Sequence, residues 1–233
     1  MSHKKRNISN VHVPIKLLTK EQGDVLKLIG MITMLADHVG IMFFPDAALP
    51  RIIGRLAFPV FAFSIAQGFY FTSDLKKYFF RLISLGIISQ VPFMLAFDFL
   101  DKLNIIFTLA LGLLTLFFFD KKRYFLMLLP LITSIVLPVE YGVYGILLIF
   151  SFYFFKKKHL VILFQLMATF LFALATNAPL QMYSLFGTGL ILGFPAIKIN
   201  IHLPKHFFYW FYPIHLALLF MIKLILDNNF FNF

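Results

Sequence analysis

Residues 25–44 read VLKLIGMITMLADHVGIMFF, an apolar run of twenty residues with Asp37 and His38 side by side well inside it. A helix of that length covers the hydrocarbon of a bilayer. An ionisable side chain at the centre of that layer costs ~2.5–3.5 kcal/mol on insertion scales, and more by other estimates. Such groups persist where neighbouring helices supply partners or a watered cavity. The remaining apolar segments therefore read as a cage around this pair.

The whole chain supports a membrane reading. Its 233 residues are 61% hydrophobic with a mean hydropathy of +0.88, far above the roughly 45–50% of soluble domains. Once the apolar segments are counted, no room is left for a separate soluble domain. The absence of cysteine excludes disulfides, iron–sulfur ligation and a thiol nucleophile. A net charge of +11 would suit nucleic acid, but the basic residues sit in short loops between apolar runs. That is the signature of membrane orientation, not of a nucleic-acid stripe. Residues 1–23 form a basic leader without the apolar core of a removed signal peptide.

Hydropathy predicts an all-α, polytopic transmembrane bundle of about nine spans: 25–44, 50–70, 78–97, 104–119, 124–138, 141–155, 160–176, 181–197 and 207–226. The expected division is a leader (1–23), one transmembrane domain (24–226) and a short tail (227–233). With the N-terminus cytosolic, fifteen basic residues face the cytosol (Lys4, Lys5, Arg6, Lys16, Lys20, Lys76, Lys77, Lys121 to Arg123, Lys156 to Lys158, Lys198, Lys205) against Arg51 and Lys102 opposite. That asymmetry fits the positive-inside rule and an odd number of crossings. The nine tyrosines fall near span ends, as interfacial rings do. Pro59 and Pro92 lie mid-span, where each is expected to kink its helix. No repeat relates two halves, which weighs against inverted-repeat transporters.

On the first helix, Gly30, Thr33, Asp37 and Gly40 share one small, polar stripe suited to close helix approach. His38 points about 100° away, because adjacent helical residues do not share a face, so Asp37 is not expected to orient its imidazole. Arg55 in the second span lies ~8 Å from the outer surface and Asp37 ~11 Å, which predicts an ion pair; Arg51 faces the same way. Such a pair serves chemistry or simply holds two helices together. His38 reads as a proton-handling group or as a buried neutral ring. Arg81 near the start of the third span suits an anion, or snorkels to lipid phosphate. Gln90 is a polar amide ~18 Å deep, a ligand or interhelical glue. Asn104 with Thr108, and Glu140 with Tyr141 and Tyr144, open the outer ends of two spans. Tyr212 and His215 share a face of the last helix beside Pro213. His215 reads as ~12 Å deep against ~20 Å for His38, so a kink would be needed to unite them. The GxxxG at 189–193 reads as helix packing only. No phosphate loop, HExxH or GxSxG is present, and His, Asp and Glu do not cluster at metal-ligand spacing.

In order along the chain, DVLKLIGMITMLADHVGIMFF, RIIGRLAFPVFAFSIAQGF, KKYFFRLISLGIISQVPF, LNIIFTLALGLL, EYGVYGILL and FYWFYPIHLALL resemble the TraX family, over about residues 24 to 225. That family takes its name from a conjugation protein associated with N-terminal acetylation of pilin. It is similar to wider groups of membrane acyltransferases that use acetyl-CoA and an intramembrane histidine. The resemblance implies a multi-pass plasma-membrane acetyltransferase with acetyl-CoA as donor, no metal, and a hydroxyl or amine acceptor of the cell envelope (sugar, peptide or pilin-like protein). The implied roles are His38, Asp37 and Arg55 in catalysis; Gln90, Asn104, Glu140, Tyr212 and His215 at the substrate; and Arg81 with Lys77 on the nucleotide phosphates. Two rivals stay open: a proton-coupled transporter or flippase, and a non-catalytic membrane assembly protein.

Overall fold

The computed structural model describes residues 17–194 and 204–230. The leader cations Lys4, Lys5, Arg6 and Lys16, together with Lys198, residues 195–197 of the eighth predicted span and residues 231–233 of the tail, lie outside them. The described residues form helices joined by short turns, with a single isolated bridge between Leu103 and Val139. The elements are α1 (Lys20–Phe43), α2 (Ala48–Gly54), α3 (Ala57–Phe71), α4 (Leu75–Phe97), α5 (Ile105–Asp120), α6 (Leu128–Val136), α7 (Gly142–Phe154), α8 (Lys158–Thr176), α9 (Ser184–Gly193) and α10 (Lys205–Phe230). One-turn 3-10 segments, Tyr124–Met127 and Pro179–Tyr183, lead into α6 and α9.

Every predicted span holds helix. Five stretches are long and apolar enough to cross a membrane: Lys20–Phe43, Ala48–Phe71, Leu75–Phe97, Lys158–Thr176 and His206–Asp227. Ile105–Asp120, Tyr124–Val136 and Gly142–Phe154 are shorter apolar helices. The second span is broken between Gly54 and Ala57, so Pro59 stands in the first turn of α3, where its missing N–H costs nothing. Pro92 lies inside an unbroken α4.

Local sequence sets the helix starts. Thr19 and Gln22 form a reciprocal capping box on α1, Asp74 caps α4 through the Lys77 N–H, and Asn104 caps α5 through the Ile106 N–H. At the centre lies α3, whose Val60, Ala62, Ile65, Ala66 and Phe69 are fully enclosed by α1, α5, α7 and α9. Helix α10 packs on α4 and α1.

The predicted stripe on α1 faces α2 and α3. Thr33 bonds back to the Gly30 carbonyl, and Gly54 presses onto Asp37 so closely that a Cβ there would lie 2.2 Å from the Asp37 Cβ. The expected packing of the 189–193 glycine pair does not hold. Gly189 and Gly193 face open space instead of a neighbouring helix, since α9 turns Ser184, Thr188 and Ile191 inward. Tyr144, Tyr153 and Tyr212 are buried against protein, with hydroxyl partners for the first two: Thr169 and Ser184 around Tyr144, and Asp120 beside Tyr153. Polar side chains stitch α7, α8 and α9 together, with Gln165 donating to Ser151 at 2.7 Å and accepting from Thr188.

Candidate functional site

Two polar centres lie along α1, on residues adjacent in sequence but on different faces. The first is the Asp37 carboxylate, which accepts from Arg55 Nη2 at 2.7 Å on each of its oxygens. Arg55 also donates from Nη1 to Gln181 Oε1 (3.1 Å) and to the Tyr141 hydroxyl (3.4 Å), and from Nε to the Arg51 carbonyl (3.3 Å). All five of its N–H groups are thereby engaged. The geometry makes Arg55 a clamp joining α1, α2, the turn before α9 and the start of α7. Tyr141 reaches it from a left-handed backbone (φ 60°), stacked on Phe58 at 4.3 Å. A non-glycine residue held there signals a position the surroundings over-determine.

The second centre is a histidine pair. His38 Nδ1 lies 2.8 Å from His215 Nε2, and the rings are stacked 8° from parallel. His215 Nδ1 lies 2.8 Å from the Phe211 carbonyl oxygen. A carbonyl only accepts, so His215 carries its proton on Nδ1 and presents a lone pair at Nε2. His38 must then donate from Nδ1. Its own Nε2 is left as an acceptor with no protein hydrogen bond among the described residues. Phe97 packs edge-on against the His38 ring at 4.9 Å. Asp37 takes no part, as the helical spacing required.

The depth estimates for the two histidines did not anticipate this contact. Both α1 and α10 begin at the same end of the bundle, but α1 starts further out; Lys27 of α1 sits 4.8 Å over the ring of Phe208, near the start of α10. Equal depth thus falls at different counts from the two helix starts.

Near that end a cavity of about 590 Å³ opens among α1, α3, α4, α5 and α10. Lys20, Lys27 and Arg81 line it with the rings of Tyr78, Phe208 and Tyr209; further in, its wall is Met31, Leu82, Leu85 and Leu109, and it reaches Met34, Ile105 and Tyr212. His38 and His215 are not in its lining. It stops four residues short of His38 at Met34 and includes Phe211, whose carbonyl anchors His215. Arg81 lies near the Tyr78 and Tyr209 rings, 5.6 and 5.9 Å from their centroids. Lys77, one turn earlier on α4, is exposed outside that lining. A second cavity, about 450 Å³, adjoins it around Leu18, Gln67 and Phe71.

The predicted polar residues separate into two groups. Asn104 and Gln90 come together, but on backbone duties: the Asn104 amide donates to the Gly86 carbonyl (2.8 Å) and to Gln90 Oε1 (2.9 Å), and Gln90 donates to the Lys102 carbonyl (2.7 Å). They fix the start of α5 against α4. Glu140, between α6 and α7, accepts from the Ile105 N–H and lies near Tyr212; Thr108 donates to its carbonyl. Burial pushes the Glu140 carboxyl up to about 7. Among the described residues no three of His, Asp and Glu gather as a metal site. Sequence reasoning missed Gln181, which clamps Arg55 and reaches the Tyr144 hydroxyl at 3.3 Å; a lone glutamine just after Pro179 carries no local signal of its partner.

Fold and site define a helical protein of the membrane type, with an ion-pair clamp and a hydrogen-bonded histidine pair at its centre. Residues 22–223 match the family model described as TraX protein, and the chain belongs to the TraX family. It is 30% identical over 237 residues to a probable fimbrial assembly protein FimC, serogroup H1, of Dichelobacter nodosus, across 87% of this chain and 96% of that one. It is also 34% identical over 99 residues to the uncharacterized protein RP591 of Rickettsia prowazekii (strain Madrid E), across 42% and 38% of the two chains. No solved structure matches it.

Proposed function

We propose that this protein is a plasma-membrane acyltransferase that moves an acetyl group from acetyl-CoA to a hydroxyl or amine of a cell-envelope acceptor, with His38 as general base. The observation that carries the reading is the order of hydrogen bonds from the Phe211 carbonyl through His215 to His38, which leaves Nε2 of His38 as a free lone pair. His38 Nε2 takes the acceptor's proton as the bond from acceptor to acyl carbon forms, and gives it to sulfur as the carbon–sulfur bond breaks. The imidazolium that exists in between is steadied by His215, which holds the ring and its tautomer.

The cavity supports a thioester donor. Its cations Lys20 and Arg81, with Lys77 a turn away, suit nucleotide phosphates, Lys27 being paired there with Asp24 at 2.9 Å; its tyrosines suit a base, and its apolar wall suits the arm bearing the acyl group. The Tyr212 hydroxyl, three residues before His215, is the donor best placed to steady the oxyanion. Arg55, Asn104 and Gln90 are occupied elsewhere and act by holding helices. In this reading the N-terminus is cytosolic, the cavity opens to the cytosol, and the chain crosses the membrane about nine times. The family's association with pilin acetylation and the fimbrial assembly relative favour a pilin-like acceptor.

The test is purified protein incubated with labelled acetyl-CoA and envelope extract, followed by mass mapping of the acetylated product. His38→Ala should abolish transfer while thermal melting stays within a few degrees of the parent. A second reading, a non-catalytic assembly protein, is favoured by the name of the Dichelobacter relative; it expects His38→Ala to support assembly as the parent does, and no label to transfer.

A further inference from the structure

Two arginines one helical turn apart, Arg51 and Arg55, face a single carboxylate, Asp37. Their positions differ in kind. Arg55 satisfies all five of its N–H groups within the protein. Arg51 Nε stands 3.5 Å from Asp37 Oδ1, an ion pair without a hydrogen bond, on an oxygen that also accepts from Arg55 at 2.7 Å. No hydrogen bond from a side-chain N–H of Arg51 is present among the described residues. The side chain is 29% exposed, so its fork is reachable from outside. Its stem is held: Gly40 lets α2 lie so close to α1 that a Cβ there would be 2.7 Å from the Pro50 Cβ and 3.6 Å from the Arg51 Cδ.

The Arg51 guanidinium nitrogens are not among the buried unpaired polar atoms, so its donors face solvent and are open to an acceptor from outside the protein. Asp37 supplies enough attraction to fix the group in place without filling its fork. Two cations against one anion leave a surplus positive charge. A planar fork with that surplus matches an oxyanion bidentately.

We infer that Arg51, held beside the Asp37–Arg55 pair at the end of α1 remote from the cavity, is a binding site for an anionic oxygen group, a carboxylate or a phosphate. The source is either a small soluble anion or moiety, or the phosphate of an anionic lipid headgroup. The inference is independent of acyl transfer and is tested without acetyl-CoA.

The experiment melts the parent protein, Arg51→Gln and Arg51→Lys in nanodiscs of phosphatidylcholine, while inorganic phosphate or acetate is titrated against a chloride control of equal ionic strength. The same proteins are then melted in phosphatidylglycerol nanodiscs. If a soluble anion is the ligand, phosphate or acetate raises the parent's melting temperature beyond chloride, and Arg51→Gln does not respond. If the headgroup is the ligand, phosphatidylglycerol raises the parent over phosphatidylcholine, Arg51→Gln loses that gain, and soluble anion adds nothing. Arg51→Lys keeps the charge without the fork and should shift the half-saturating anion concentration about tenfold upward; it carries the test should the glutamine variant not fold. Equal responses of parent and Arg51 variants to every anion and both lipids overturn the inference.

Discussion

A histidine that donates to another histidine is a base with its working nitrogen chosen in advance. His215 cannot accept from the Phe211 carbonyl, and that one fact propagates through two rings to Nε2 of His38. His215→Phe keeps a stacked ring but removes the acceptor, so His38 loses its enforced tautomer. If the proposed chemistry holds, acetyl transfer should fall roughly 10²–10⁴-fold, with unchanged melting, in the labelled acetyl-CoA assay. Glu140 offers a second reading at this scale. Its carboxyl titrates near 7 instead of 4.5 because burial disfavours the charge. Its protonated form therefore stabilises the fold fully below about pH 4.5, and that contribution fades as pH rises through about 7. The melting temperature should decline between about pH 5 and about pH 7.5, and Glu140→Gln should flatten that slope; calorimetry in detergent across that range decides it.

At the scale of the helix, the ion pair and the glycines act as one device. Gly54 lets α2 meet α1 at Asp37, and Arg55 then draws α7 and the turn before α9 onto the same point. Gly54→Val would force the two backbones apart and should abolish folding, read as loss of a monodisperse peak in detergent. Removing one charge leaves the other buried and unpaired: Asp37→Asn should cost about 3–5 kcal/mol. The double change Asp37→Leu with Arg55→Leu should cost less than either charge deletion alone, because neither half of the closest ion pair is then left facing an uncompensated partner. Denaturant titration of all three variants provides the comparison. Hydropathy found each of these helices, but not the break at 55–56, since the run of apolar residues continues through it.

For the whole molecule, the proposed orientation rests on the distribution of lysine and arginine. A chain without cysteine is ready for single-cysteine labelling: cysteines placed at Lys77 and Lys122 should react only with reagent admitted to the cytosolic side, and those at Ala47 and Asp101 only from the other. Reaction of all four from one side would end the nine-crossing topology. The cavity end of the bundle carries Lys20, Arg81 and the Lys27–Asp24 pair, and the remote end Arg51 and Arg55 with Asp37, so the two proposed anion sites differ in kind.

Composition and the 20-residue apolar runs determined by themselves that this chain is helical and membrane-borne, because backbone groups in lipid must be satisfied within the helix. Period and depth likewise determined that Asp37 meets Arg55 and turns away from His38, since both partners lie at matched counts from one pair of adjacent helix ends. Only the tertiary structure decided that His38 meets His215, that Arg55 is closed by Gln181 and Tyr141, and that Arg51 is left open. Those contacts depend on how far each helix is shifted along its axis and on how closely each side chain approaches the carboxylate. Neither quantity is written in the spacing of residues along a single helix.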